Sequence, residues 1–360
     1  MGSIYVYGVV GTAADQEVCV GATGLDGTSP VGIVAQGGIG CVISAHRGQD
    51  PRAVSRETIL RYLLRHQQVV EHVMQGRTVL PVKFGTTLES HEEVRALLAQ
   101  ARHDLGKALD LMLDKVEVEV AATWDINRVL QEVGQGEEVA RSREAIAARG
   151  SPTMEDKVQL GQVVKACLDR RRDAYRERML EYLRPLAMDM APNALVAEEM
   201  VMNVAFLVER ARQQEFDERV RVLDSLFDNQ VTFRVIGPLP PYSFSTVEVT
   251  RLSEEQAEQA RQELELPAVF VEAEVRRAYR RLAAREQRKV QRGVKVSADG
   301  LVRARQASEV LLAWCRAPAA HSYGGSSGGD EKRPCLFVVA VRGTGYQEIA
   351  AARFGGAVRV

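Results

Sequence analysis

Val235-Ile-Gly-Pro-Leu-Pro-Pro-Tyr-Ser-Phe244 decides how this chain is read. It continues an alternating run, Val231-Thr-Phe-Arg-Val235, whose period of two is that of a strand. Each of the three prolines fixes φ and lacks an N–H donor. The backbone is therefore expected to be extended up to Ile236 and then to leave the sheet as a stiff, polyproline-like exit that presents Tyr242 and Phe244. No common catalytic motif has this form.

Upstream of that exit, Val116-Glu-Val-Glu-Val120 alternates strictly, the pattern of a half-solvated strand. A charged helical region with Gly134 and Gly136 follows. Residues 153–184 then read as one long helix, its buried stripe marked by Leu160, Val164, Leu168, Tyr175, Met179 and Leu183 and its end by Pro185. Short extended segments at 186–189 and 200–208 precede a helix with Phe216, Val220, Leu223 and Phe227 inward. The order from 116 to 236 is β-α-β-β-α-β, which predicts a ferredoxin-like domain over 116–248.

Residues 1–115 form an earlier α+β domain in this reading. Ile4-Tyr-Val-Tyr-Gly-Val-Val10 is a strand, a Gly/Asp/Ser/Thr-rich loop follows it, and segments 32–35 and 39–45 make a hairpin broken at Gly37 and Gly38. Residues 54–75 switch to helical period, with Ile59, Leu60, Leu63, Leu64, Val70, Val73 and Met74 read as one stripe. Val79-Leu-Pro-Val-Lys-Phe84 returns to extended structure, with Pro81 placing it at an edge. Ser90 with Glu93 opens a helix to about residue 114 as a capping box. The expected sheet has about four strands and two helices. Beyond 249 the chain reads as a helical extension to 318 with segments near 253–264, 272–292 and 297–316. A Gly/Ser linker over 319–334 and a tail over 335–360 containing a strand complete it. The fold class is therefore α+β, with two small sandwich-type domains and a mostly helical carboxy-terminal extension.

Composition narrows the function classes. The chain has 360 residues, 46% of them hydrophobic and 26% charged, with a net charge of −1, so it is not steered as a whole toward nucleic acid or an anionic membrane. Five scattered cysteines without a C-x-x-C read as reduced thiols. The start lacks the pattern of a signal peptide, and no apolar run approaches the roughly 20 residues of a membrane span, so a cytoplasmic protein is expected. The six histidines have no metal spacing, there is no phosphate-binding loop and no nucleophile elbow. Gly37-Gly-Ile-Gly40 lacks the rest of a dinucleotide fingerprint. No catalytic, cofactor or metal site is expected, and no enzyme activity.

One charged segment stands out. Between Glu274 and Lys295 nine Lys/Arg side chains, among them Arg280, Arg281 and Arg288, oppose two glutamates. The plain reading is a solvated helix face whose stripe of Val275, Ala278, Tyr279 and Leu282 packs inward. The others are docking to an acidic partner or, with a ferredoxin-like sheet as the platform, nucleic-acid binding.

Four segments together resemble the gas vesicle protein F/L family: Ile4-Tyr-Val-Tyr-Gly-Val-Val10; Arg65-His-Gln-Gln-Val-Val-Glu71 leading into Val79-Leu-Pro-Val-Lys-Phe-Gly-Thr86; Asn203-Val-Ala-Phe-Leu-Val208; and Gly237-Pro-Leu-Pro-Pro-Tyr-Ser-Phe244. The chain departs from the family pattern at Leu239, where a tryptophan is usual. The resemblance spans residues 1–248 and implies a small α/β domain followed by a ferredoxin-like one. It also implies a non-catalytic part in building gas vesicles, with the hydrophobic shell protein and other accessory proteins as partners and no nucleic acid. Within that role Phe84, Tyr242 and Phe244 are the expected aromatic contacts at a domain seam or with a partner. Residues 266–284 and 303–312 are similar to the second and third helices of a J-domain, but Arg285-Glu-Gln-Arg-Lys-Val290 stands where His-Pro-Asp belongs. That implies a basic helical hairpin kept for docking.

Overall fold

Strand period and turn chemistry build the first sheet. A computed structural model describes residues 3–15, 17–46, 54–227, 230–291, 298–316 and 336–343. The first strands are β1 (Ser3–Gly11), β2 (Val18–Thr23), β3 (Pro30–Gln36) and β4 (Ile39–His46). Gly37 and Gly38, with φ of 65° and 86°, close the β3–β4 hairpin as a two-residue loop that needs left-handed backbone at both positions. Helix α1 (Arg56–Met74) starts at Ser55, whose hydroxyl accepts the Thr58 N–H. Strands β5 (Val79–Pro81) and β6 (Thr87–Leu88) follow, and then α2 (His91–Met112). The sheet runs β2-β3-β4-β1-β5 with β6 also on β1, six strands rather than about four. The additional strands are β2, which the loop-like composition before Pro30 concealed, and the two-residue β6. Central β1 is buried along nearly its whole length, in keeping with its β-branched and aromatic run.

The second sheet lies in another part of the chain. It comprises β7 (Lys115–Trp124), helices α3 (Ile126–Gly134), α4 (Glu137–Ala147) and α5 (Met154–Leu183), β8 (Asp189–Pro192), β9 (Met200–Glu209), α6 (Gln213–Leu226) and β10 (Val231–Leu239). Its order is β10-β7-β9-β8, and all neighbours are antiparallel. One face carries Val118, Val120, Met202, Val204 and Phe206 against Met179, Leu183, Phe216, Val220 and Leu223, all buried. Alternation in the strands and the 3.6-residue stripes of α5 and α6 put these side chains on facing surfaces. Thr153 and Asp156 form a reciprocal capping box at the start of α5.

After a four-residue turn, α7 (Tyr242–Ser245), come β11 (Thr246–Leu252), α8 (Glu254–Glu263), α9 (Glu272–Gln291), α10 (Ala298–Arg316) and β12 (Leu336–Arg342). Strand β12 pairs antiparallel with β11 over seven positions, and the Phe337 N–H donates to Gln100 of α2 at 3.0 Å. Ala257, Leu264, Val275, Ala278, Leu282, Ala307 and Leu311 form the buried core of α8, α9 and α10.

The chain thus divides into two compact units, one of residues 1–111 together with 245–342 and one containing 112–244. The expected boundary at 248 differs from this division. The segment from Ser245 groups with the amino-terminal sheet instead of standing as a separate extension, because β11 and β12 are tied to it. The expected linker over 319–334 lies outside the described residues.

Candidate functional site

Two of the four family-like segments meet around one hydroxyl. The Gly85 N–H donates to the Tyr5 Oη at 3.1 Å, and that hydroxyl lies 2.9 Å from Nδ1 of His66. One phenol oxygen, able to accept twice and donate once, thereby ties the Gly85 N–H to the His66 imidazole. Burial pushes His66 down to about 4, so it is neutral in the fold. The His66 ring stacks on Tyr7 at 5.7 Å and meets Phe84 edge-on at 5.9 Å, while Phe84 also packs against Tyr5. Tyr7 in turn pairs with the Ser44 hydroxyl at 2.9 Å and accepts the Leu25 N–H at 3.0 Å, and burial raises its phenol to about 12.

Phe84 is therefore half-buried in an aromatic cluster of its own unit. The edge beside it is occupied as well. Val82 forms a parallel bridge with Val247, the Lys83 N–H donates to the Val247 carbonyl at 2.9 Å, and the Lys83 ammonium pairs with Glu248 at 2.9 Å.

The Gly-Pro-Leu-Pro-Pro-Tyr-Ser-Phe segment behaves differently from the expected exit. Strand β10 continues past Ile236 to Leu239, which lies opposite Glu117 after a register shift, and the Gly237–Pro238 peptide is cis. A Cβ on Gly237 would lie 3.0 Å from the Glu117 carbonyl oxygen, so a close backbone approach keeps that position small. The chain then folds back over the helix-free face of the sheet. The Glu117 carboxylate accepts both the Ser243 N–H and the Ser243 hydroxyl, each at 2.7 Å. Burial is the largest influence on this carboxyl and raises it to about 7, against the lowering effect of the two Ser243 bonds. Phe244 is 5% exposed and packs on Ala191, Ala205, Leu207 and Met112, whereas Tyr242 is half-buried on the same turn.

Only Tyr242 and Phe244 of the six expected contact residues come together. Arg280 and Arg281 are exposed on α9 in the other unit. Arg281 and Arg285 both reach Glu265, at 3.9 and 3.4 Å, and Arg276 pairs with Glu272. Beneath them Val275, Ala278 and Leu282 pack inward, as a solvated amphipathic helix requires. The Arg288 side chain lies outside the described residues.

Two residues that sequence reasoning passed over, His66 and Glu117, organise these clusters. His66 carried a signal, being in helical phase with Val69, Val70 and Val73. Glu117 carried none. A nucleic-acid platform is not supported: the helix-free face of β7 and β9 presents Glu117, Glu119, Ala121, Asn203, Ala205 and Leu207, with two carboxylates and no stacking ring. Among the described residues no His/Cys/Asp/Glu group could hold a metal ion, and no helix is long and apolar enough to cross a membrane.

Comparison with known proteins points one way. Residues 3–246 match the model of the family described as gas vesicle synthesis protein GvpL/GvpF. Gas vesicle protein F of Streptomyces sp. (strain CB03234) is 32% identical over 246 residues, which cover 67% of this chain and 99% of that protein. Gas vesicle protein F of Dolichospermum flosaquae is 28% identical over 211 residues, covering 58% of this chain and 84% of that protein. The crystal structure of the gas vesicle protein GvpF from Anabaena sp. PCC7120 shares the fold with a TM-score of 0.59. It is 24% identical and covers 68% of this chain and 98% of that one. With its family match spanning both β-sheets of four or more strands, this chain belongs to the gas vesicle synthesis protein GvpL/GvpF family.

Proposed function

We propose that the protein is a non-catalytic accessory factor of gas vesicle assembly, acting in the cytoplasm on the hydrophobic shell subunit together with other accessory proteins. A subunit that will face gas exposes apolar surface and unpaired strand edges in water, which aggregate unless covered. The observation that carries this reading is β10. It is one of the two outer strands of its sheet, and Val235 and Ile236 are 41% and 37% exposed on it. Such an edge can pair with an incoming strand through main-chain hydrogen bonds while its apolar side chains select the partner. Tyr242 flanks this strand's end, Phe244 supports the turn from beneath, and Phe84 holds the Lys83 loop. Arg280 and Arg281 suit an acidic accessory protein.

The test is capture of purified shell subunit by the full-length protein. Val235→Asp with Ile236→Asp charges the edge, which is how natural sheets prevent strand pairing. Capture is expected to fall about tenfold or more while the thermal melt stays in place. Undiminished capture would exclude the β10 edge, and a wild-type protein that captures nothing would overturn the function itself.

A further inference from the structure

Helix α1 carries a second apolar strip, distinct from the one that enters the core. His66, Val69, Val70, Val73 and Met74 are its buried residues, whereas Leu60, Leu63 and Leu64 are 55%, 39% and 61% exposed. At 100° per residue, Leu60 and Leu64 stand roughly 110–150° round the helix from the centre of the buried face. The single stripe expected from the sequence is therefore two. One exposed leucine is ordinary, but three at i, i+3 and i+4 make a contiguous ridge. A shallow groove along it is lined by Glu57, Leu60, Arg61, Leu64, Arg65 and Gln68.

We propose that this ridge seats an amphipathic helix of a partner protein, with the partner's apolar stripe on Leu60, Leu63 and Leu64 and its carboxylates toward Arg61 and Arg65. The leucine spacing matches the i, i+3, i+4 anchors of helix-in-groove recognition. Arg61 and Arg65 lie one turn apart on one flank, where two guanidinium forks meet two carboxylates at the same helical spacing. Among the side chains lining the groove Arg61 and Arg65 outnumber Glu57, so the groove favours an acidic occupant. The inference does not depend on binding of the shell subunit, which the β10 edge serves.

Fluorescence anisotropy with the full-length protein tests it, using a labelled designed helix that has leucine at its core positions and glutamate on its flanks. The control is the same helix with lysine flanks. The glutamate helix is expected to bind about tenfold or more tightly than the lysine helix. Leu60→Glu with Leu64→Glu should weaken it about tenfold or more, and Arg61→Glu with Arg65→Glu should reverse the preference. All four side chains are exposed, so circular dichroism should be unchanged in both variants. Equal binding of the two helices, binding of neither, or full binding by the leucine variant would overturn the proposal. A dimer dissolved by that variant would overturn it too, by assigning the ridge to self-association.

Discussion

Replacing Glu117 with glutamine should remove a pH dependence of stability from the unit that contains it. The carboxyl is 1% exposed, and burial holds it at about 7 in the fold against 4.5 in the free side chain. A raised carboxyl means that the folded state keeps its proton while the unfolded chain has lost it. Its contribution to stability is thus complete below pH 4.5 and is lost as pH rises through about 7. Each pH unit in that window costs about 1.4 kcal/mol, so the full displacement amounts to about 3 kcal/mol. Glutamine is neutral throughout, and it can accept the Ser243 N–H with its oxygen and donate to the Ser243 hydroxyl with its nitrogen.

The variant should match the wild type near pH 4.5 and exceed it by up to about 3 kcal/mol at pH 8. Urea unfolding followed by tryptophan fluorescence gives the measurement, because Trp124 is buried in the same unit and a Trp314→Phe background leaves it as the only reporter. Midpoints that fall in parallel for wild type and Glu117→Gln between pH 5 and 8 would refute the reasoning. Alanine at the same position should be worse than glutamine at every pH, since it leaves the Ser243 N–H without its acceptor, at a cost of about 1–3 kcal/mol.

His66 predicts the opposite pH response in the other unit. Its imidazole is neutral in the fold, with burial lowering it to about 4 from 6.5, so stability is complete above pH 6.5 and falls as pH drops toward 4. With Trp314 as the only tryptophan, His66→Gln should flatten that acid limb, and an unchanged limb would count against a buried neutral imidazole. Tyr5→Phe keeps the ring but deprives the Gly85 N–H of its acceptor and the His66 ring of its Tyr5 partner. Thermal unfolding should show a loss of about 1–3 kcal/mol, and a neutral outcome would mean that water replaces the hydroxyl. Phe244→Ala empties a buried site on the second sheet and should cost about 3–5 kcal/mol, whereas the exposed Arg280→Ala should stay within about 0.5 kcal/mol. Equal effects of those two substitutions would show that the turn does not pack as described.

Much of this architecture was legible because its elements announce themselves locally. Strand β1 and helices α5 and α6 show their periods, and the capping residue Ser90 marks where α2 begins. What escaped was set by non-local contacts. Strand β2 is a six-residue edge strand whose side chains are mostly exposed, so no hydrophobic alternation advertises it. On α1, apolar residues on two sides of the helix were read as one stripe, since periodicity reports spacing and not which face finds a partner. The segment from Ser245 onward looked like an appendage because its tie to the first sheet runs through Val247, Glu248 and Gln100, single contacts that no pattern predicts.

Glu117 shows why the candidate site was harder to read than the fold. Strict alternation from Val116 to Val120 correctly puts Val118 and Val120 on one face and Glu117 and Glu119 on the other, and such a pattern ordinarily means solvent on the glutamate side. More than a hundred residues later the chain returns over that side and covers one glutamate. The returning segment supplies what the covering requires: a glycine where β10 passes close to the Glu117 carbonyl, two donors on Ser243, and Phe244 to bury Ala205 and Leu207. A carboxyl enclosed in this way without a cation must resist ionisation, so the same turn that ends the sheet also raises the acid. The prolines are then best understood through geometry: with φ fixed at three positions, the backbone from Pro238 to Tyr242 has few ways to turn, and the one it takes delivers Ser243 to Glu117. Proline-to-alanine changes there should therefore loosen the Glu117–Ser243 pair and move the titration midpoint of Glu117, even though no proline touches the carboxyl through a hydrogen bond.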